Sequence, residues 1–360
     1  MDVVNYQCPN CTAPLKFSSN SQQWDCEFCG STFQLSDLQD QTTKADTAEG
    51  GTYDPSENEW REGELEGMRV YSCDKCGGEI IADDTTSASF CPYCGNTAIF
   101  PKQFEGAFRP ELVIPFKTDK KQAQEAYKNL CKGKWLIPKD FVSANKIEKI
   151  TGVYVPFWLY DCDSDASLSF NATKVKRWTS GGYSYTKTDY YAIFRDGSMT
   201  FEKVPADGST KMDNTLMGAI EPYDYTQAEE FTTAYLSGFL AEKYDQTADD
   251  MKPAVDTRMR ASTSDMLKKT VNGYSSVSQT QGNINLKYGK TRYVLLPVWL
   301  LISKYNGKDY VFAMNGQTGK LIGDLPVSMK RAVGFFFGIM GSVTAISFLF
   351  SVISNLLGGM

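Results

Sequence analysis

Hydrophobic and polar positions change rhythm twice along the 360 residues. At the C-terminal end the rhythm vanishes: Ala332 to Ile353 is apolar or small throughout, and no charged residue lies between Ala332 and Met360. About 20 such residues cross a hydrocarbon core of ~30 Å as a helix. A buried helix of a soluble protein usually keeps a polar face, which this stretch lacks. The pattern predicts a transmembrane helix over 332–353. Lys330 and Arg331 stand just before it and no basic residue follows. Positive charge stays inside, so the bulk of the chain is expected in the cytoplasm, anchored to the plasma membrane by a single pass.

Upstream, after Pro101, aromatic and β-branched residues alternate with polar ones. Leu112-Val-Ile-Pro-Phe116 predicts a short extended piece. Asp119 then caps a helix with Ala123, Tyr127, Leu130 and Cys131 along one side and Gly133 at its end. Strands are predicted at Val153–Asp161, Ala166–Trp178, Tyr183–Phe194 and Ser198–Val204, with Asp196-Gly197 as a two-residue hairpin turn and Gly181-Gly182 in another loop. Helical patterns over 226–244 and 247–271 precede strands at 283–288 and 291–304. Two echoes suggest an internal repeat. Ile220-Glu-Pro-Tyr223 resembles Ile114-Pro-Phe116, and Val153-Tyr-Val-Pro-Phe-Trp-Leu159 resembles Val294-Leu-Leu-Pro-Val-Trp-Leu300. The expectation is a duplicated helix plus antiparallel-sheet unit, 102–220 and 221–328, with one sheet face or edge left open for a partner.

The N-terminal third has short strand patterns wrapped around cysteines. Cys8, Cys11, Cys26 and Cys29 are separated by two, fourteen and two residues, and Cys73, Cys76, Cys91 and Cys94 repeat that interval. Two thiolates two residues apart grip one ion from a tight turn, and a second turn delivered by a hairpin completes a tetrahedron of sulfur around Zn²⁺. Gly30 and Gly95 follow the last ligand of each quartet, where a positive φ turns the chain beneath the metal. The spacing predicts zinc ribbons at 1–35 and 68–101 and two Zn²⁺ per chain. Iron in a rubredoxin-like site would use the same ligands. Disulfides would need an oxidising compartment, against the cytoplasmic placement. Residues 36–67 carry ten acids against Lys44 and Arg61, with no apolar period, and predict a solvated acidic linker.

Composition narrows the chemistry. The chain has no histidine, which removes every His-based nucleophile and His-ligated metal site. Residues 1–101 hold 5 Lys/Arg against 17 Asp/Glu, and the remainder 32 against 26, so the net charge of −6 is concentrated at the ribbon end. That end is a poor match for phosphate, and nucleic acid is not the expected partner. Phe28 and Tyr93, one in each second metal turn, are expected to pack on their hairpins. Asn315-Gly-Gln-Thr-Gly-Lys320 lacks the four-residue gap and the Ser or Thr of a phosphate loop, and predicts a hairpin turn. Asp161, Asp163 and Asp165 alternate with other residues but lack the glycine and terminal Glu of a calcium loop; solvated acids at a strand end are expected. Cys131 and Cys162 sit among apolar residues as inert thiols. No spacing nominates a catalytic pair, so no enzyme is expected.

The two ribbons, the Pro-Phe-Trp-Leu and Pro-Val-Trp-Leu segments, Asn-Gly-Gln-Thr-Gly-Lys before Gly323-Asp-Leu-Pro326 and the C-terminal anchor together resemble a family of bacterial proteins common in Gram-positive genomes. Its members are labelled as transcription-factor-IIB-type zinc-ribbon or replication-restart-helicase-like proteins. No nucleotide-binding loop here supports a motor. Some members resemble components of an operon with a phage-shock-protein-A homologue and a flotillin-like SPFH protein. The resemblance therefore implies a membrane-anchored scaffold in an envelope-stress complex, with those proteins and the lipid bilayer as partners. It carries over, residue by residue, only the eight zinc-ligating cysteines. The overall expectation is an α+β chain; the alternative is a membrane-tethered nucleic-acid-binding protein.

Overall fold

The computed structural model describes residues 8–11, 13, 15–38, 60, 68–73, 77–83, 91–93, 99–102, 108–138, 141 and 149–357. In chain order, β1 (Lys16–Ser18), β2 (Gln23–Asp25), β3 (Thr32–Phe33) and one helical turn, α1 (Leu35–Leu38), are followed by β4 (Met68–Cys73), β5 (Glu79–Asp83) and β6 (Ile99–Lys102). Then come β7 (Leu112–Val113), α2 (Lys120–Cys131), β8 (Thr151–Ser180), β9 (Tyr183–Asp207), α3 (Asn214–Ile220), β10 (Glu229–Glu230), β11 (Leu240–Glu242) and α4 (Ala248–Lys269). β12 (Ser276–Tyr305), β13 (Lys308–Asn315), β14 (Leu321–Gly323) and α5 (Met329–Leu357) complete the chain. β1 to β3 form their own small sheet. The other 11 strands join in one sheet with the path β10-β7-β12-β8-β11-β5-β4-β6, with β9 added on β8 and β13 and β14 beyond β12. The chain is therefore a mixture of helix and sheet, as expected.

Two of the strands are far longer than the pattern predicts. β8 has 30 residues and β9 has 25, joined at Gly181 and Gly182, whose φ values are 59° and 80°. The expected turn at Asp196-Gly197 does not form: these residues face Ser167 and Ala166 inside an unbroken ladder. Gly197 has a different reason. A Cβ there would lie 3.1 Å from Leu267 Cδ2, so the missing side chain admits α4 close to the sheet. Cys162, Ser164, Ala166, Leu168, Phe170 and Ala172 are all buried, whereas Asp163, Ser167 and Asn171 between them are exposed. One face is covered by α4 and the other is open. The strands expected at 283–288 and 291–304 are likewise one strand, β12, with an irregularity between Tyr288 and Thr291.

The helix expected over 226–244 is also absent. That stretch holds two short 3₁₀ turns, Tyr225–Gln227 and Thr233–Leu236, together with β10 and β11. Gly238 with φ 86° interrupts any helix, and Thr233 to Leu236 are buried on every side rather than on one stripe. Burial on all sides lets the sheet, not helical periodicity, decide the backbone. By contrast, α2 begins at Asp119 with a full capping box to Gln122 and buries Ala123, Tyr127 and Cys131, as the pattern predicts.

The echoing segments lie side by side. Val153 faces Val298, Phe157 faces Val294, and between them Val155 faces Leu296 in the antiparallel pairing of β8 with β12. β7 runs parallel to β12 with Leu112 beside Val294, and β11 runs parallel to β8 with Leu240 beside Val153. The parallel neighbour of the second echoing segment is thus Leu112–Val113, and that of the first is Leu240–Glu242. Ile220–Tyr223, the expected echo, instead closes α3 and enters a loop.

Candidate metal centre

The first quartet comes together. The sulfurs of Cys8, Cys11, Cys26 and Cys29 all lie within 4.8 Å of one another, and none forms a disulfide. Cys8 Sγ is 3.5 Å from Cys29 Sγ, and Cys11 Sγ is 3.5 Å from Cys26 Sγ. Four sulfurs tetrahedrally placed ~2.3 Å from one ion stand about 3.8 Å apart, so this cluster fits a metal. The backbone explains the convergence. Cys26 N–H donates to Ser31 O at 2.8 Å, Gly30 N–H donates to Cys26 O at 2.9 Å, and Gly30 takes φ 72°. Beneath the site, Trp24 is buried and its indole N–H donates to Ala234 O at 2.9 Å, while Phe17 meets Tyr235 edge-on at 5.5 Å. The unit is too small to bury a core of its own and borrows one from the body.

Electrostatics within the cluster favour a cation. The Ser31 hydroxyl, then the Ser31 backbone, hold the Cys29 thiol down to about 6. At Cys11 the Ala13 backbone pulls the other way, yet burial and the neighbouring thiols Cys26, Cys29 and Cys8 push it up to about 12. Adjacent thiols cannot all ionise without a compensating positive charge, which a divalent metal supplies. Ser31 and Asn10 escaped the cysteine pattern. Asn10 Nδ2 donates to Ser31 Oγ at 2.9 Å, and Ser31 Oγ lies 3.2 Å from Cys29 Sγ. Polar residues between the first two ligands and just after Gly30 are the signal that marks them.

Of the second quartet, Cys73 and Cys91 are fully buried in one apolar cluster with Ile80 and Tyr93. Cys76, Cys94 and Gly95 lie outside the described residues. The turn after Cys73 matches that after Cys26: Gly77 N–H donates to Cys73 O at 2.7 Å, Cys73 N–H donates to Gly78 O at 3.0 Å, and Gly77 has φ 68°. β5 and β6 both pair antiparallel with β4 within 68–102, and β5 continues into the body by pairing Ile81 with Ala241. Tyr93 packs inward as expected. Phe28 does not; it is 76% exposed on its surface turn among the described residues.

A buried acidic pair adjoins Tyr93 and has no counterpart in the sequence pattern. Glu242 accepts from Ser209 Oγ at 2.5 Å, and Asp207 accepts from Ser209 N–H at 3.1 Å. The second oxygen of Asp207 is buried without a hydrogen bond among the described residues, and that of Glu242 is buried towards Tyr93. Burial, then the charge of Glu242, pushes Asp207 up to about 8, and burial pushes Glu242 up to about 8 although Ser209 and Tyr93 oppose it. Reading 226–244 as a helix hid Glu242.

The other motifs behave more plainly. Asn315 to Lys320 connects β13 and β14 as a turn, with Asn315 Oδ1 accepting from Gln317 and Thr318 N–H at 2.9 Å each. Asp161, Asp163 and Asp165 are not gathered on one ion: Asp161 pairs with Arg292 at 2.8 Å, Asp163 accepts from Thr200 at 2.7 Å and Asp165 pairs with Lys287 at 2.9 Å. Burial raises the thiols of Cys131 and Cys162. At the far end, α5 contains the stretch Met329–Phe350, the one helix among the described residues long and apolar enough to cross a membrane, and none of it is buried against the body.

No protein-family model matches the chain, and no solved structure matches it. It is 34% identical over 358 residues to the uncharacterized protein YdjG of Bacillus subtilis (strain 168), an alignment covering 99% of each. The chain belongs to the same family as that protein.

Proposed function

We propose that this member of the YdjG family is a non-enzymatic scaffold held on the cytoplasmic side of the plasma membrane by α5, presenting two zinc ribbons and a duplicated α+β body to protein partners. The observation that carries the reading is the division of labour along the chain: a four-thiol surface cluster at one end and a wholly unburied apolar helix at the other. A helix with no polar face and no protein cover needs a hydrocarbon surround. Four cysteines, no histidine and a reducing compartment favour zinc in each quartet. Among the described acids, Asp207 and Glu242 are buried and Asp161, Asp163 and Asp165 are each held by a separate neighbour.

Duplication is supported by bonds that recur at equivalent places. Gly208 N–H donates to Pro156 O at 2.9 Å and Gly316 N–H to Pro297 O at 2.8 Å. Trp158 donates to Gln246 O at 2.9 Å and Trp299 to Thr118 O at 3.3 Å. Asp119 and Thr247 both open capped helices. Each half's short strand lies beside the other half's long strand, β7 on β12 and β11 on β8, so the halves interlock about Val155 and Leu296. The resemblance to envelope-stress proteins nominates phage-shock-protein-A-like and SPFH/flotillin-like partners. Purification from membranes in mild detergent should retain a specific protein partner and about two zinc ions per chain. Recovery of nucleic acid with no protein partner would sink the reading.

One observation favours the alternative, a membrane-tethered nucleic-acid binder. Beyond Thr173 the β8-β9 hairpin continues without β12 and displays Trp178 stacked on Tyr185 at 5.4 Å, beside Lys174, Lys176, Arg177 and Lys187. Aromatic faces among cations suit unpaired bases. Binding of single-stranded nucleic acid that weakens steeply with salt and is lost in Trp178→Ala would establish it.

A further inference from the structure

Trp135 is 73% exposed, an unusual position for so large a ring. It sits where α2 gives way to a short loop: Gly133 with φ 75° turns the chain out of the helix, and residues 132–135 are exposed. This loop is fastened to the start of α5. Ser328 N–H donates to Leu136 O at 2.8 Å, and the Arg331 guanidinium donates to the carbonyls of Trp135, at 3.3 Å, and Ile137. The Trp135 ring meets Phe335 edge-on, centroids 5.8 Å apart and planes at 90°. The exposed ring therefore points along the helix rather than back to the body.

Depth follows from helix geometry. Phe335 lies five residues beyond Lys330, about 7.5 Å further along the axis. The polar zone on each side of a ~30 Å hydrocarbon core is on the order of 6 Å thick. With Lys330 and Arg331 at phosphate level, Phe335 reaches the edge of the hydrocarbon, and Trp135 beside it falls in the interface, where an indole with one apolar and one polar edge is most stable. The charge agrees. Lys128, Lys132, Lys134 and Lys330 are exposed and make no salt bridge among the described residues, and between 120 and 137 Glu125 is the single acid against five lysines.

We propose that Lys132, Lys134, Trp135, Lys330 and Arg331 form a docking site for anionic phospholipid, with Trp135 inserted at the headgroup boundary and the lysines on the phosphates. The site rests on α5 spanning the bilayer, as proposed above. It orients the body, with the C-terminal end of α2 facing the membrane.

The test uses the full chain reconstituted in phosphatidylcholine vesicles with and without phosphatidylglycerol, containing lipids brominated either near the headgroup or near the chain end. α5 has no tryptophan, so bromine quenching reports only rings of the body. The expected result is that about one of the six tryptophans is quenched, more by the shallow label than the deep one. Trp135→Phe should abolish that quenching, and Trp178→Phe should leave it. Phosphatidylglycerol should increase it, an increment lost in the double variant Lys132→Gln, Lys134→Gln. If the protein resists carbonate extraction but shows no quenching, or if Trp135→Phe changes nothing, the docking site is wrong and the span stands. Release by carbonate overturns both.

Discussion

Val155 lies directly across from Leu296 in the β8-β12 pairing, four residues from the Thr151 end of the ladder, and each occupies the same place in one of two echoing segments. Towards the ends of these segments β7 runs parallel to β12, with α2 following it in the chain, and β11 runs parallel to β8, with α4 following it. α4 packs on β8 and β9 and also reaches β12, where Ser264 and Asp256 hydrogen-bond Gln279 and Tyr288.

A chain limited to 102–220 is therefore expected not to fold as a monomer, because Thr118 and Phe116 would lose Trp299, whose ring meets Phe116 edge-on at 5.1 Å. Circular dichroism and sedimentation would decide it. A stable, monomeric, cooperatively melting half would contradict interlocked duplication.

Gly208 and Gly316, which donate to Pro156 O and Pro297 O respectively, differ in how tightly they are enclosed. An added Cβ at Gly316 would meet Phe116 at 2.7 Å and Pro297 at 2.8 Å, whereas at Gly208 the nearest atom, on Trp158, stands at 3.2 Å. Gly316→Ala should destabilise by about 1–3 kcal/mol, and Gly208→Ala by less. Chemical denaturation of the two variants in detergent gives the order directly, and a reversed order would refute the packing argument.

Metal content should separate the two quartets. Cys8→Ser or Cys26→Ser is expected to remove one equivalent and leave the membrane association intact. Asn10→Ala and Ser31→Ala keep all four sulfurs but lose the hydrogen bonds around Cys29, and should weaken metal retention by roughly 10-fold in competition with a chelator. Retention identical to wild type would show that these two residues merely decorate the turn.

Stability should depend on pH through Asp207 and Glu242. Both keep their protons in the folded chain up to about 8, whereas unfolded they release them near 3.8 and 4.5. Between those values the folded state binds more protons, so stability falls as pH rises and levels off above about 8. Replacing Glu242 by Gln, which stays neutral, should raise Tm at pH 8 and flatten the slope between pH 5 and pH 8. An unchanged slope would refute the assignment of this dependence to the pair.

What could be read from the chain alone was what short spans of covalent structure dictate. Two residues between cysteines, Gly30 with its positive φ, the Asp119 cap and the uninterrupted apolar run into α5 each depend on neighbours within a few positions, so residue type and spacing suffice. The first quartet's four sulfurs, the α2 helix and the Asn315–Lys320 turn were legible for that reason. What only tertiary packing settled involves residues far apart in sequence. Gly197 looks like a turn until Leu267 presses against it, and Leu240–Glu242 looks helical until the edge of β8 claims it as a strand. The carboxyls of Asp207 and Glu242 share one buried site only because β9 and β11 meet on β8, and Trp135 acquires its place only because Ser328 and Arg331 tie its loop to α5. Local preferences are worth a few tenths of a kcal/mol per residue, whereas a buried strand or ring gains several times that from its surroundings, and where the two disagree the surroundings prevail.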